Sequence, residues 1–477
     1  MTRLAVLCTV LLIISVQAIE AQTATQSPAH SQDLQTGVVL PKVVCAAQPE
    51  QSYALYLPSK YTREKQWPIV YTFDPGARGT MPVELMKDAA ERYGYIVVGS
   101  NNSQNGPWKL EAEAARAMAQ DAQARLAIDN KRAYLAGLSG GARFASALAQ
   151  RCDCAAGVLM SGAGFAPGSP PAPGGTFAVF GAVGSFDFNY GELVELDAKL
   201  ETLHYTHVLR RFDGIHEWAP ASVMNEGLAW FRLIEMKTGR AARDEAFVKE
   251  QAAEAETRAK NVEASGDPYC AWQEYRQAAE TFHGLGEFSA FGEHAAALEK
   301  EKAVRDGAKR EQQDFEEQTR LMTDISSGMS ALRQDSAGGL DQRNEVAQQI
   351  SELRSRAEHE KNPQKLRVLR RALSGVFIEA MEAGDDRCEA KDFARARIFY
   401  ELGVNAETDS AWAWRAVAEV RAMTGDRKGA FEAIRHVKEK SKDPAAFSKW
   451  LEEEPAFAKL RDTPEFPTLL PTTPEPR

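Results

Sequence analysis

The sequence predicts an α/β protein: a mostly parallel sheet with interleaved helices, followed by an all-α region. Three observations carry this. Between about 37 and 240, short apolar runs alternate with amphipathic stretches, the mark of βαβ units. Beyond about 241 the chain turns to long charged, Ala-rich stretches of helical period. Near the C-terminus the pattern repeats at a fixed interval. At 477 residues the chain exceeds one ordinary core, so several domains are expected.

Residues 1–21 read as a secretory signal, with Arg3, an apolar run from Leu4 to Val16 and small exit residues at Ala18 or Ala21. That run is shorter than the roughly 20 residues a spanning helix needs. Cleavage is therefore expected rather than anchorage, giving a secreted or periplasmic product with no stable membrane insertion. Residues 22–36, rich in Gln, Ser, Thr and Ala, form a flexible leader.

The α/β domain follows over 37–240. Tyr53 to Leu57 and Ile69 to Phe73 read as strands, and Pro82 to Tyr93 as a helix with Leu85, Ala89 and Tyr93 on one side. Tyr95 to Gly99 is the next strand and Glu111 to Ile128 the next helix. Ala133 to Ala136 is a short strand running into Gly137, and Ala142 to Gln150 is a helix burying Phe144 and Leu148. Gly157 to Ser161, Phe177 to Phe180 and His207 to Phe212 complete the strands, with a Pro/Gly-rich loop from Gly164 to Gly175.

A boundary falls near Thr238 to Ala242, before a helical region over 241–370 and a repeat region over 371–477. Asp392 and Asp426, Ala396 and Ala430, and Tyr400 and Ile434 are each separated by 34 positions. With Trp414, Val417, Ala418, Gly425, Ala430 and Ile434, the second unit resembles a tetratricopeptide repeat, whose period is about 34 residues. The first, near Phe377 to Ser410, keeps Gly384, Ala396 and Tyr400. Thr408 and Lys442 stand where the repeat carries its late proline. The resemblance implies a protein partner for this region; an ordinary helical bundle is the alternative.

With 57 Lys and Arg against 67 Asp and Glu, the net charge of −10 argues against nucleic acid as a partner, which needs clustered cations. Cys45, Cys152, Cys154, Cys270 and Cys388 remain after cleavage, an odd set in a compartment that permits disulfides. Cys152 and Cys154 have no second cluster at zinc spacing, so a bridge to Cys45 or plain burial is expected in place of a metal.

Gly137-Leu138-Ser139-Gly140-Gly141 fits Gly-x-Ser-x-Gly, a strand-to-helix elbow that exposes a serine hydroxyl above a sheet. The glycines let strand and helix pass closely. A serine needs a base oriented by a carboxylate, and in such folds acid and then histidine follow it along the chain. Of His204, His207 and His216, the first two lie before or inside the last strand, whereas His216 lies in the loop after it. Asp187, just past the preceding strand, is the first choice of acid, with Asp213 and Asp197 as competitors. Asn101, Asn102 and Asn105, with Trp108 and Trp218, either line a substrate cleft or simply make turns.

On Tyr53-Ala54-Leu55-Tyr56-Leu57-Pro58, Trp67-Pro68-Ile69-Val70, Gly137 to Gly141 and the His216 loop, the domain resembles the α/β-hydrolase superfamily. Within it the likeness is to the esterase branch that includes polyhydroxybutyrate depolymerases, feruloyl esterases and dienelactone hydrolases. It implies acyl transfer to water through Ser139, Asp187 and His216, on a small or polymeric ester, with no cofactor or metal. Gly140 supplies one oxyanion-hole N–H. Gly76 or Ala77 supplies the second, from a loop where Asp74 replaces the relatives' histidine. Two other readings stay open: a peptidase, since the triad serves both, and an envelope scaffold acting through the repeats with an ancillary hydrolase domain.

Overall fold

The computed structural model describes residues 34–152, 154–334, 339–441 and 443–470; the expected signal and most of the leader lie outside them. Eight strands form one sheet: β1 (Val39–Val44), β2 (Ser52–Tyr56), β3 (Trp67–Phe73), β4 (Ile96–Ser100), β5 (Ile128–Leu138), β6 (Gly157–Ser161), β7 (Ala178–Gly184) and β8 (His207–Phe212). Their order is β1-β2-β4-β3-β5-β6-β7-β8. The pairings β1–β2 and β2–β4 are antiparallel, and every pairing from β4 to β8 is parallel. This is the mostly parallel sheet of an α/β domain expected from the sequence.

β3, β6 and β7 are buried along their whole length, which is why they read as unbroken apolar runs. β1 escaped the sequence reading for the opposite reason. It is an edge strand with one buried residue, interrupted by Pro41 and a register shift between Leu40 and Val43, so it carries no period-2 signal. The expected helix from Glu111 to Ile128 is displaced: helix α2 spans Trp108–Arg125, and Ile128 opens β5 opposite Trp67.

Five helices complete this half: α1 (Thr80–Tyr93), α2, α3 (Gly140–Cys152), α4 (Tyr190–Thr202) and α5 (Ala221–Lys237). Tyr134, Ala136 and Leu138, alternate residues of β5, join a buried cluster with Val83 and Met86 of α1 and Leu228 and Phe231 of α5. Tyr134 stacks on Phe231 at 4.4 Å between ring centroids. Within the cluster, Glu235 accepts hydrogen bonds from the Tyr95 and Tyr134 hydroxyls at 2.7 and 2.8 Å, so its buried carboxylate is partnered.

The helical half comprises α6 (Glu245–Ala264), α7 (Pro268–Phe282), α8 (Ser289–Glu299), α9 (Lys302–Gln334), α10 (Gly339–His359), α11 (Pro363–Glu389), α12 (Phe393–Ala406), α13 (Ala411–Met423), α14 (Arg427–Lys440), α15 (Pro444–Glu453) and a short α16 (Ala458–Arg461). The chain turns at Gly239 in the expected boundary, but the sheet half's buried cluster runs on through Phe247, Ala271 and Phe291 to Val304. A second cluster extends from Leu321 to Leu469. The 34-residue spacing joins equivalent positions. Asp392 and Asp426 cap the N-termini of α12 and α14 by accepting from Arg395 N–H and Gly429 N–H. Ala396, Ala430, Tyr400 and Ile434 are all buried.

One expectation about cysteine is corrected. Cys152 and Cys154 bond to each other across a Cα–Cα distance of 5.0 Å, while Cys45 is a free, buried thiol. The end of α3 brings the two sulfurs together with no distant partner required. Among the described residues, no helix is long and apolar enough to cross a membrane.

Candidate active site

Ser139 sits between the end of β5 and the start of α3 with φ at +53°. A positive φ strains a residue with a Cβ and is tolerated where the surrounding structure holds it. The flanking glycines are required by space. A Cβ at Gly137 would run into the backbone of Gly141, and one at Gly141 into the carbonyl of Phe73. Ser139 N–H donates to Ser161 O at 2.9 Å, tying the elbow to β6. The Ser139 hydroxyl has no hydrogen-bond partner among the described residues.

His216 and Asp187 meet beside that elbow. Nδ1 of His216 is 2.9 Å from Oδ1 of Asp187, a fully buried carboxylate. Both side chains lie against Gly162, the residue after Ser161. Asn189 N–H donates to the same Asp187 oxygen at 2.8 Å and Asn189 Nδ2 to Gly162 O at 2.8 Å, so the acid's loop is fastened to β6. Phe188 packs on the His216 ring at 4.3 Å. The competing acids are engaged elsewhere. Asp213 is exposed and accepts from Ser185 Oγ at 3.2 Å, and Asp197 pairs with His207 at 3.4 Å and Arg276 at 3.2 Å.

The oxyanion-hole candidates divide. Gly140 is the first residue of α3, where a helix leaves its N–H groups without intrahelical partners. Gly76 N–H donates to Asp74 Oδ1 at 2.8 Å and Ala77 N–H to Asp74 O at 3.1 Å. Neither is therefore a free donor in this conformation, because Asp74 accepts from both. This aspartate is fully buried and also accepts from Arg78 Nε and Trp218 Nε1, each at 2.8 Å. Burial alone would raise its pKa, but hydrogen bonds from Arg78, Trp218 and Gly76 hold it below the ordinary value. Asp74 thus ties the loop after β3 to Trp218, two residues beyond His216, as a strut.

A cleft of about 500 Å³ opens over Ser139 and Gly140. Asn105, Trp108, Glu111, Arg143 and Phe188 line it from the sheet half. Asn101 and Asn102 instead bond to the backbone of Pro41, Ser52 and Glu50, and Trp218 is buried on Asp74. Arg143 is neutralised by a two-pronged pair with Glu192 at 2.9 and 2.7 Å. Glu111 is buried and, among the described residues, has only Ser103 Oγ for a hydrogen-bond partner, at 3.1 Å; burial pushes its carboxyl up to about 7 against that hydrogen bond.

The opposite wall was not foreseen from sequence. Met322 of α9 and Gly375, Ile378, Glu379 and Glu382 of α11 close the cleft from the helical half. Gly375 allows this, because a Cβ there would collide with the Met322 side chain and crowd Phe188. Motif and chain order cannot report a wall made some 200 residues away.

Solved structures similar to this chain include FphF of Staphylococcus aureus, a fluorophosphonate-binding serine hydrolase, at 11% identity and a TM-score of 0.32, covering 41% of this chain and 97% of that one. A ferulic acid esterase is similar at 18% identity and a TM-score of 0.34, covering 41% and 97%. A hyperthermophilic esterase from the archaeon Pyrobaculum calidifontis is similar at 13% identity and a TM-score of 0.35, covering 42% and 87%. No protein-family model and no curated protein matches the chain.

Proposed function

We propose that this chain is an exported serine hydrolase that cleaves carboxylic esters through an acyl-enzyme on Ser139. The observation that carries the reading is the pairing of buried Asp187 with His216 beside a serine held at positive φ on a strand-to-helix elbow. The hydroxyl of Ser139 attacks the ester carbonyl carbon as His216 Nε2 takes its proton. Asp187 holds the Nδ1–H tautomer and stabilises the imidazolium. The oxyanion is met by Gly140 N–H, and collapse expels the alcohol with the proton returned by His216. Water then repeats the sequence on the acyl group, releasing the acid and free Ser139. A second oxyanion donor from Gly76 or Ala77 requires that N–H to leave its bond to Asp74.

Export is supported by the apolar N-terminal run and by the Cys152–Cys154 disulfide. In this reading the C-terminal helices are tetratricopeptide-like, with capped helix starts recurring at the repeat interval. The ester reading is tested with purified protein and a panel of matched aryl esters and peptide anilides. Ester turnover is expected, lost by about 10³-fold or more in Ser139→Ala and His216→Ala. Turnover that survives both substitutions, or that is confined to the anilides, overturns it.

A further inference from the structure

Asp187 stands in a loop whose flanking carbonyls are held from the helical half. Arg371 Nε on α11 donates to Ser185 O at 2.7 Å, and Gln318 Nε2 on α9 donates to Phe188 O at 2.7 Å. These donors bracket the acid, one two residues before it and the other one residue after. Both are nearly inaccessible, at 5% and 2% exposure. The Arg371 guanidinium also lies 3.5 Å from the ring centroid of Tyr190, where the loop enters α4.

Gln318 is costly where it stands. It lies on the buried stripe of α9 with Leu321, Ile325, Met329 and Leu332, at spacings that otherwise take apolar residues. Its Oε1 is buried without a hydrogen-bond partner, a destabilising condition. A methionine would avoid that cost and fill the same space. What it would lose is the donor to Phe188 O. Arg371 is costly too, since burial depresses the guanidinium's pKa.

The path to the chemistry is short. Asp187 N–H bonds to Gly184 O at 3.0 Å, Asn189 N–H bonds to the Asp187 carboxylate, and the Phe188 ring rests on His216. A shift of the backbone at Ser185 or Phe188 therefore moves the carboxylate, the imidazole or both. On the serine-hydrolase reading above, we infer that Gln318 and Arg371 are positioning residues for the Asp187–His216 pair. The helical half is then a working part of the active site and not a separate module.

The test uses the full chain with Gln318→Met, Arg371→Lys and Arg371→Met. Two readouts are compared: kcat and KM on an uncharged aryl ester, and the downfield proton resonance of His216 Nδ1–H, which depends on its hydrogen bond to Asp187. Gln318→Met is expected to keep its unfolding temperature and KM, lose about tenfold in kcat, and broaden or shift the resonance. Arg371→Lys is expected to fall between wild type and Arg371→Met. Should Arg371→Met not fold, Gln318→Met and Arg371→Lys carry the test. A folded Gln318→Met with wild-type kcat and an unmoved resonance overturns the inference while leaving the hydrolase reading intact. A wild type that turns over no ester, yet whose resonance moves in Gln318→Met, overturns the hydrolase reading and leaves the positioning role standing.

Discussion

Helices in the two halves begin differently. In the sheet half, α1, α2, α4 and α5 follow Gly79, Pro107, Asn189 and Pro220, and none has a side-chain cap. In the helical half, α6, α7 and α11 to α15 each begin on an Asp, Asn or Ser whose side chain accepts a backbone N–H of the first turn. In that half α8 and the short α16, which follow Phe288 and Phe457, lack one. Strands and their buried neighbours set the sheet-half helices in place, so their starts are free for other work. The start of α3 at Gly140, directly after Ser139, belongs to that class, and an uncapped helix N-terminus is a natural anion site. The helical half fixes its helices locally, and its contribution to the site comes from buried mid-helix residues.

If chemistry resides in the loops of the sheet half, the largest effect should come from Asp187→Asn. It should lower kcat/KM by about 10²- to 10⁴-fold by disturbing the His216 tautomer, while Asp213→Asn stays within about twofold. Steady-state kinetics on one ester decides between them, and the reverse order would move the acid to Asp213.

Stability sharpens the same contrast. Phe231→Ala removes a ring buried against Tyr134 and should cost about 3–5 kcal/mol in denaturant unfolding. Glu111→Gln addresses the cleft itself. Because the folded carboxyl is pushed up to about 7 from an ordinary 4.5, the native state keeps a proton that the unfolded chain has lost between those values. Wild-type stability therefore falls as pH rises through that window, and the loss is complete above it. The glutamine variant should lack this fall and exceed wild type at pH about 8.5 by roughly 2–3 kcal/mol. Equal pH slopes in the two proteins would contradict it. The smallest effect is expected from Asp426→Ala, about 1 kcal/mol through a lost cap.

Legibility followed the range of the forces involved. β6 and β8 were read end to end because their boundaries coincide with changes in local hydrophobicity. β1 was not, since pairing with β2 and not burial makes it a strand. Ser139, Asp187 and His216 could be proposed from chain order because each lies just past a strand on one sheet edge. The disposition of Gly76 and Ala77 could not, since it depends on how Asp74 distributes its oxygens. The far wall was hidden by tertiary packing alone, although a glutamine interrupting the apolar stripe of α9 is a local sign that something there needs a donor.

The most direct test of the account is covalent. Wild type, Ser139→Ala and His216→Ala are incubated with an uncharged fluorophosphonate, and the modified peptide is identified by mass spectrometry. The account predicts one adduct, on Ser139, absent from Ser139→Ala and formed at least about 10²-fold more slowly in His216→Ala. A folded wild-type protein that takes no label, or takes it on another residue, would contradict it.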